Sequence, residues 1–194
     1  VKVGTPLYCD RRDEAVLYTS PAAGTIKTIH RGERRIVHSV VIEARGFEDA
    51  VPFHPVDLGK ADRGTVLAAL AGSGLWPALR RRPFDRVAQT TDTPQAIIVQ
   101  AYDSSPLAPD LRELVRGRDQ EVKAGLTVLK ALTDGPVHLA VQAGKDWAAC
   151  VADGTQVTAF AGPHPAGTAG TAIHHLAPAG AQRTTWYIGV QDVA

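Results

Sequence analysis

The sequence predicts a mixed α/β (α+β overall) protein: a Rossmann-like α/β domain preceded by a partial barrel-sandwich β module of the biotinyl/lipoyl type. Three observations carry this. Residues 1–46 alternate apolar and polar positions between turn signals, as half-buried strands do. Residues 95–194 alternate short apolar runs with a helical stripe, the pattern of a βαβ unit. The 194 residues are 44% apolar, enough to bury a core.

In the β module, "VKVGTPLY", the turn "CDRRDE" and "AVLYTSPAAGTIKTIHRGERRIVHSVVIEA" read as strands with tight corners at Ser20-Pro21-Ala22-Ala23-Gly24 and Arg31-Gly32-Glu33. The order strand, GxxL, charged turn, strand, S-P-x-x-G, strand is that of biotinyl- and lipoyl-carrier domains. Such carriers need a lysine at the hairpin tip, because only an amine forms the amide to the prosthetic group. The tip here is Asp10-Arg11-Arg12-Asp13, and Lys2 and Lys27 fall in strands. Arginine stays protonated and is not acylated in that way, which argues against a carrier function.

Residues 47–94 read as a connector with two short helical pieces, "DRGTVLAALAGSG" and "LWPALRRR", with Asp62 as an N-cap and Pro83 as a stop. The cluster Arg80 to Arg82 with Arg86 is expected at the solvated C-terminal end of the second piece, where cations suit the helix dipole. "LAGSGLW" holds Gly72 and Gly74 but is neither a dinucleotide fingerprint nor a Walker loop, and Ser73 is not in a GxSxG elbow. It reads as a helix broken by glycine.

In residues 95–194, "AIIVQAY" has the composition of a buried parallel strand. Leu111, Leu114, Val115, Val122, Leu126, Leu129 and Leu132 fall on one helical stripe ending at Asp134-Gly135. "PVHLAVQA", "TQVTAFAG" and "TTWYIGVQ" are three further strands. Ligands of such sheets sit beyond the carboxyl ends of the strands. The loops 102–109, 142–146 and 162–170 are expected to meet there.

The stretch "FAGPHPAGTAGTAIHHLAP" holds His164, His174, His175, Gly167 and Gly170. His174 and His175 are adjacent, so in a strand they point to opposite faces, and no metal site is expected from them. Gly167-Thr168-Ala169-Gly170 offers backbone N–H groups to an anion, but no helix is expected after it to add a dipole. A connection between strands is the expected reading. His164 is held between Pro163 and Pro165, which fix the backbone around it. It is a candidate ligand contact, with a structural hydrogen bond to backbone as the alternative.

Lys plus Arg number 21 against 20 Asp plus Glu, so the chain lacks the footprint of a nucleic-acid binder. Cys9 and Cys150 lie far apart, which speaks against a disulfide framework or zinc knuckle and for a reducing compartment. No apolar run is long enough for a membrane span and no signal peptide opens the chain, so a cytoplasmic protein with at most a peripheral membrane role is expected. The chain starts inside a strand-like alternation, has no Met and stops as an apolar strand finishes. A piece lacking both ends of a longer protein is expected.

The blocks "HRGERRIVHSVVIE", "GLWPALRRRPFDRV", "PQAIIVQAYDSSPLAPD", "AGLTVLKALTDGPV", "FAGPHPAGTAGTAIHHLAP" and "TTWYIGVQDV" resemble, in order along the whole chain, the A-type subunit of the sodium-translocating NADH:quinone oxidoreductase. The resemblance implies a bacterial respiratory translocase that passes electrons from NADH to ubiquinone and pumps sodium ions. It implies a peripheral protein on the cytoplasmic side of the inner membrane, whose partners include integral membrane subunits, and whose role is ubiquinone binding and assembly. Flavins, iron-sulfur and the ion path are implied chiefly for other subunits, and the piece alone is expected to be inactive. The fold is implied to be related to the C-type electron-transport subunit of the Rnf complex and to the NADH-binding flavoprotein of respiratory complex I.

Those relatives hold a denser glycine-rich loop where this chain has "LAGSGLWPALRRRPF". A pyrophosphate needs the close backbone approach that glycines permit, whereas Leu75, Trp76 and Pro77 fill space or remove a donor. No flavin or tightly held NADH is therefore expected on this chain. A quinone site needs apolar walls and a few donors for the carbonyls. Tyr102, Ser104, Ser105, Leu107 and His164 are the candidate ubiquinone contacts, and no side chain is assigned a catalytic role. The rivals are a flavin- or NADH-binding electron-transfer subunit of the Rnf or complex I type, and a docking scaffold with an exposed apolar patch and no pocket.

Overall fold

The computed structural model describes all residues, Val1–Ala194. Strands β1 (Pro6–Asp10), β2 (Asp13–Thr19), β3 (Ala23–Arg31) and β4 (Val37–Gly46) come first, followed by helix α1 (Arg63–Ser73). Then come β5 (Arg80–Arg82), β6 (Arg86–Val87), β7 (Ala96–Ala101), α2 (Leu111–Leu114), α3 (Asp119–Lys130), β8 (Val137–Gln142), β9 (Thr155–Phe160), α4 (Ala169–Leu176), β10 (Thr185–Gly189) and α5 (Val190–Val193).

A six-stranded sheet in the order β6-β5-β10-β7-β8-β9 is the centre of the α/β part. β10, β7, β8 and β9 are parallel, and β5 and β6 add an antiparallel edge. Ile97, Ile98 and Val99 of β7 are all fully buried, which requires cover on both faces and explains the unbroken apolar run. On one face Val122, Leu126 and Leu129 of α3 join Val99, Leu139 and Trp186 in the main core. On the other, Ala172 and Ile173 of α4 pack on Ile98 and Ala140. The chain moves outward from β7 through β8 to β9, and α4 then carries it back past β7 to β10. The strand order therefore reverses between β7 and β10.

The sequence expectations need correction at three places. The basic run Arg80–Arg82 is not a helix end but strand β5, paired with β6 and β10. The reason lies just before it: Trp76 is fully buried, donates Nε1–H to the Ala88 carbonyl at 2.7 Å and meets Trp186 edge-on at 5.6 Å. That anchor turns the chain onto the sheet edge after a single 3₁₀ turn. The long helical stripe is two helices, separated where Gly117 takes φ +78°, and Leu114 is left 53% exposed. His174 and His175 lie on helix α4 rather than in a strand, so a helix does follow Gly167 and Gly170.

Other local signals act as read. Asp62 caps α1 by accepting the Thr65 N–H at 2.8 Å, and Gly74 ends that helix in the left-handed conformation.

β1 and β2 form a hairpin whose tip is Asp10 to Asp13, and β3 and β4 form a second, longer ribbon. The hairpin docks on the α/β part: Val16 is 1% exposed within the main core, and the Asp13 carboxylate accepts both the N–H and the hydroxyl of Thr90. No helix is long and apolar enough to cross a membrane.

Candidate ligand site at the switch point

A cavity of about 410 Å³ opens beyond the carboxyl ends of β7 and β10, where the strand order reverses. Its walls are Gln100 from β7, Tyr187 to Gly189 from β10, Arg80 from β5, the Gly167 to Ala169 turn that starts α4, and Asp103 and Ser105 from the loop after β7.

Gln100 is the hub of one wall. Its Nε2 donates to the Tyr102 carbonyl at 2.5 Å and to the Gly167 carbonyl at 2.8 Å, which ties two loops to the end of β7. Its Oε1 is buried without a partner. Tyr102 Oη donates to the Gly162 carbonyl at 3.2 Å. Ser104 Oγ accepts the Gly167 N–H at 2.9 Å and lies 3.2 Å from His164 Nδ1. The approach at Gly167 is tight: a Cβ there would lie 2.5 Å from the Ser104 nitrogen and 2.9 Å from the Tyr102 ring. Only glycine lets the loops meet this closely.

The opposite wall is charged. Arg80 donates to the Asp85 carbonyl at 2.5 Å, Tyr187 Oη donates to the Asp85 carboxylate, and Arg82 stacks over the Tyr187 ring at 5.6 Å. The Tyr187 hydrogen bond, helped by Arg80 and Arg82, holds the Asp85 carboxyl below its ordinary range. Burial, then Asp85, pushes the Tyr187 hydroxyl up, so it stays a neutral donor.

Of the residues singled out in the sequence, Ser105 lines the cavity, whereas Tyr102 is buried outside its lining and Ser104 and His164 bond to each other in the adjoining loops, also outside it. Leu107 stands apart: it is fully exposed, with φ +64°, and contributes no wall. The loop 142–146 meets the loop after β7 on the other side, where Lys145 pairs with Asp110 at 2.5 Å. Sequence reasoning passed over Gln100, Arg80 and Tyr187 as site residues. The polar residue near the end of the apolar run "AIIVQA" is the one signal that marked Gln100. A larger open groove of about 1110 Å³ lies between Val1 and Phe47, but its polar wall is exposed pairs such as Lys2 with Asp49. The switch-point cavity brings buried and half-buried polar groups together.

Residues 61–194 match the family description "NqrA second alpha/beta domain", and residues 1–45 match "NqrA N-terminal barrel-sandwich hybrid domain". The chain belongs to the NqrA family. Relatives from Saccharophagus degradans, Alcanivorax borkumensis and Neisseria gonorrhoeae are 43%, 42% and 41% identical over the whole of this chain. Each is named as the A-type subunit of the Na(+)-translocating NADH-quinone reductase. The chain spans 44% of the length of these NqrA relatives. The barrel-sandwich description fits the hairpin and ribbon of the first 45 residues. The second description takes in α1, β5 and β6 together with the parallel strands.

Proposed function

We propose that this NqrA chain supplies a ubiquinone headgroup site at the switch-point cavity and a docking surface for the other subunits of a sodium-translocating NADH-quinone reductase. The observation that carries the reading is the cavity itself: about 410 Å³ at the strand-order reversal, with Ser105 and Gln100 on its walls and the Ser104–His164 pair in the adjoining loops. The Ser105 hydroxyl is a donor for a quinone carbonyl, and Ile188 and Ala78 supply apolar wall. Tyr102 holds the wall from behind. Side chains rather than glycines at Leu75, Trp76 and Pro77, and the absence of glycine from "YDSS" after β7, support a chain without flavin or tightly bound NADH. The exposed Ile29 and Ile36 of the β module, with Phe47 just after it, support docking to further subunits, integral membrane ones among them, with the chain peripheral on the cytoplasmic side.

The test is a titration of the purified chain with a short-chain ubiquinone, following fluorescence of Trp76, Trp147 and Trp186, with flavin and NADH in parallel. Saturable quenching by quinone alone is expected, weakened about tenfold by Ser105→Ala through the loss of one hydrogen bond and less by Tyr102→Phe, which frees the Gly162 loop. Quenching by flavin or NADH would favour the Rnf or complex I reading instead. No response to any of the three would leave the docking role alone.

A further inference from the structure

The ribbon of β3 and β4 has an inside and an outside. Its register runs Thr25 with Glu43, Ile26 with Ile42, Thr28 with Val41 and Ile29 with Val40, so Lys27 is one extra residue on β3. Paired residues of an antiparallel ladder share a face, and successive ones alternate. Without the bulge, Ile26 and Ile29 would point to opposite faces. With it, both join Ile42 and Val40 on one face. The other face carries Thr25, Thr28 and Glu43, with Lys27 paired to Glu43 at 3.5 Å and Val41 as its one large apolar residue. That one-sided pattern belongs to a sheet covered on one face. Yet Ile26 and Ile29 are 38% and 44% exposed.

The hairpin of β1 and β2 shares this unfilled space. Leu7, Tyr8 and Tyr18 border a cavity of about 340 Å³ together with Val37 and Val40 of β4. Tyr8 stacks on Tyr18 at 4.7 Å but stays 45% exposed. Neither ribbon nor hairpin has a third strand beside it.

We propose that Ile26, Ile29, Val40 and Ile42 form an interior surface of the full-length protein, covered by strands from the part of the NqrA chain outside Val1–Ala194. More than half the length of the NqrA relatives lies outside the span of this chain. Residues 1–45 match a barrel-sandwich hybrid, yet they supply two separate two-stranded sheets, each short of the three strands that independent stability needs. A covalently joined segment reaches the face at a high effective concentration, an advantage that a separate subunit lacks. Ile29 thereby passes from the docking surface to the interior. Ile36 at the ribbon's tip and Phe47 beyond its base lie outside the ladder and stay available to other subunits.

The test is hydrogen exchange of the full-length NqrA chain, purified without partner subunits, beside Val1–Ala194 and the assembled reductase. The amides of β3 and β4 are expected to exchange about 100-fold more slowly in the full-length chain than in Val1–Ala194, the effect of burying one or two further isoleucine side chains. Assembly is expected to add no further protection around Ile26 and Ile29. Ile29→Lys is expected to destabilise the full-length chain and leave Val1–Ala194 nearly unchanged, whereas Val41→Lys on the other face is tolerated in both. Equal exchange in the two chains would overturn the proposal. So would protection that arises only on assembly, which gives the face to another subunit, or protection of Val1–Ala194 that grows with its concentration, which gives it to a second copy.

Discussion

At the scale of single residues, two buried titratable groups behave unlike their exposed counterparts. Cys150 is fully buried, and burial together with its hydrogen bond to the Asp119 carboxylate pushes the thiol up to about 12. The thiolate is the reactive form, so Cys150 is inert at neutral pH while exposed Cys9 is open to reagent. A thiol-specific chromogenic reagent is expected to count one cysteine in the native chain and two after unfolding. The folded state holds its proton longer than the unfolded one, so this contribution to stability is complete below the ordinary thiol value of 9.0 and is lost as pH climbs towards about 12. His138 has the opposite sign. Alternation with Leu139 puts it on the α4 face of β8, buried, with neither ring nitrogen partnered, and burial pushes its pKa down. Below its ordinary range the unfolded chain binds a proton that the folded chain refuses, so stability falls with acid. His138→Leu, which fills similar space with no polar atom, is expected to raise the melting temperature at pH 5.5 more than at pH 7.5.

At the scale of elements, helix α4 decides whether the cavity has a wall. Thr168 caps it by accepting the Thr171 N–H, and Thr168→Ala is expected to cost about 1 kcal/mol in chemical denaturation. Gly167→Ala is a harsher change: its Cβ would press on the Ser104 backbone, and overpacking of that kind costs roughly 1–3 kcal/mol. Weaker quinone quenching is expected to accompany it, because the two loops must part. The elements with a strong period were legible, since Ile97, Ile98 and Val99 cannot be left in water and the stripe through Val122, Leu126 and Leu129 fits only a helix. α4 was not, because its eight residues include Gly170 and two alanines and carry their apolar face on only Ala172, Ile173 and Leu176. β5 was hidden for another reason. Three consecutive arginines show no alternation, and it is pairing with β10 that makes them a strand. The site followed the same divide: the loops around the cavity were found from the strand pattern, whereas Arg80 reaches it through that unforeseen edge.

At the scale of the molecule, the hairpin and the ribbon of the β module are held to the rest in unequal ways. Val16 sits in the main core, so Val16→Ala is expected to lower global stability by about 1.5–3 kcal/mol, the value of a buried valine. The ribbon of β3 and β4 buries little beyond its base at Ala22 and Ala23, and Ile26, Ile29, Val41 and the 59% exposed Ile36 face water. A two-stranded ribbon gains too little burial to be firmly stable alone, and its opening need not disturb the sheet. Hydrogen exchange of the isolated chain is therefore expected to release the β3 and β4 amides well before those of β7, β8 and β10, and Val16→Ala to speed the sheet while leaving the ribbon unchanged. Ribbon amides as slow as those of β7 would refute this and would mean that the ribbon's ladder is stabilised by contacts beyond its base. Strong protection that appears only on assembly with the other subunits would instead identify the exposed isoleucines as part of the docking surface, because burial then supplies what the two strands lack.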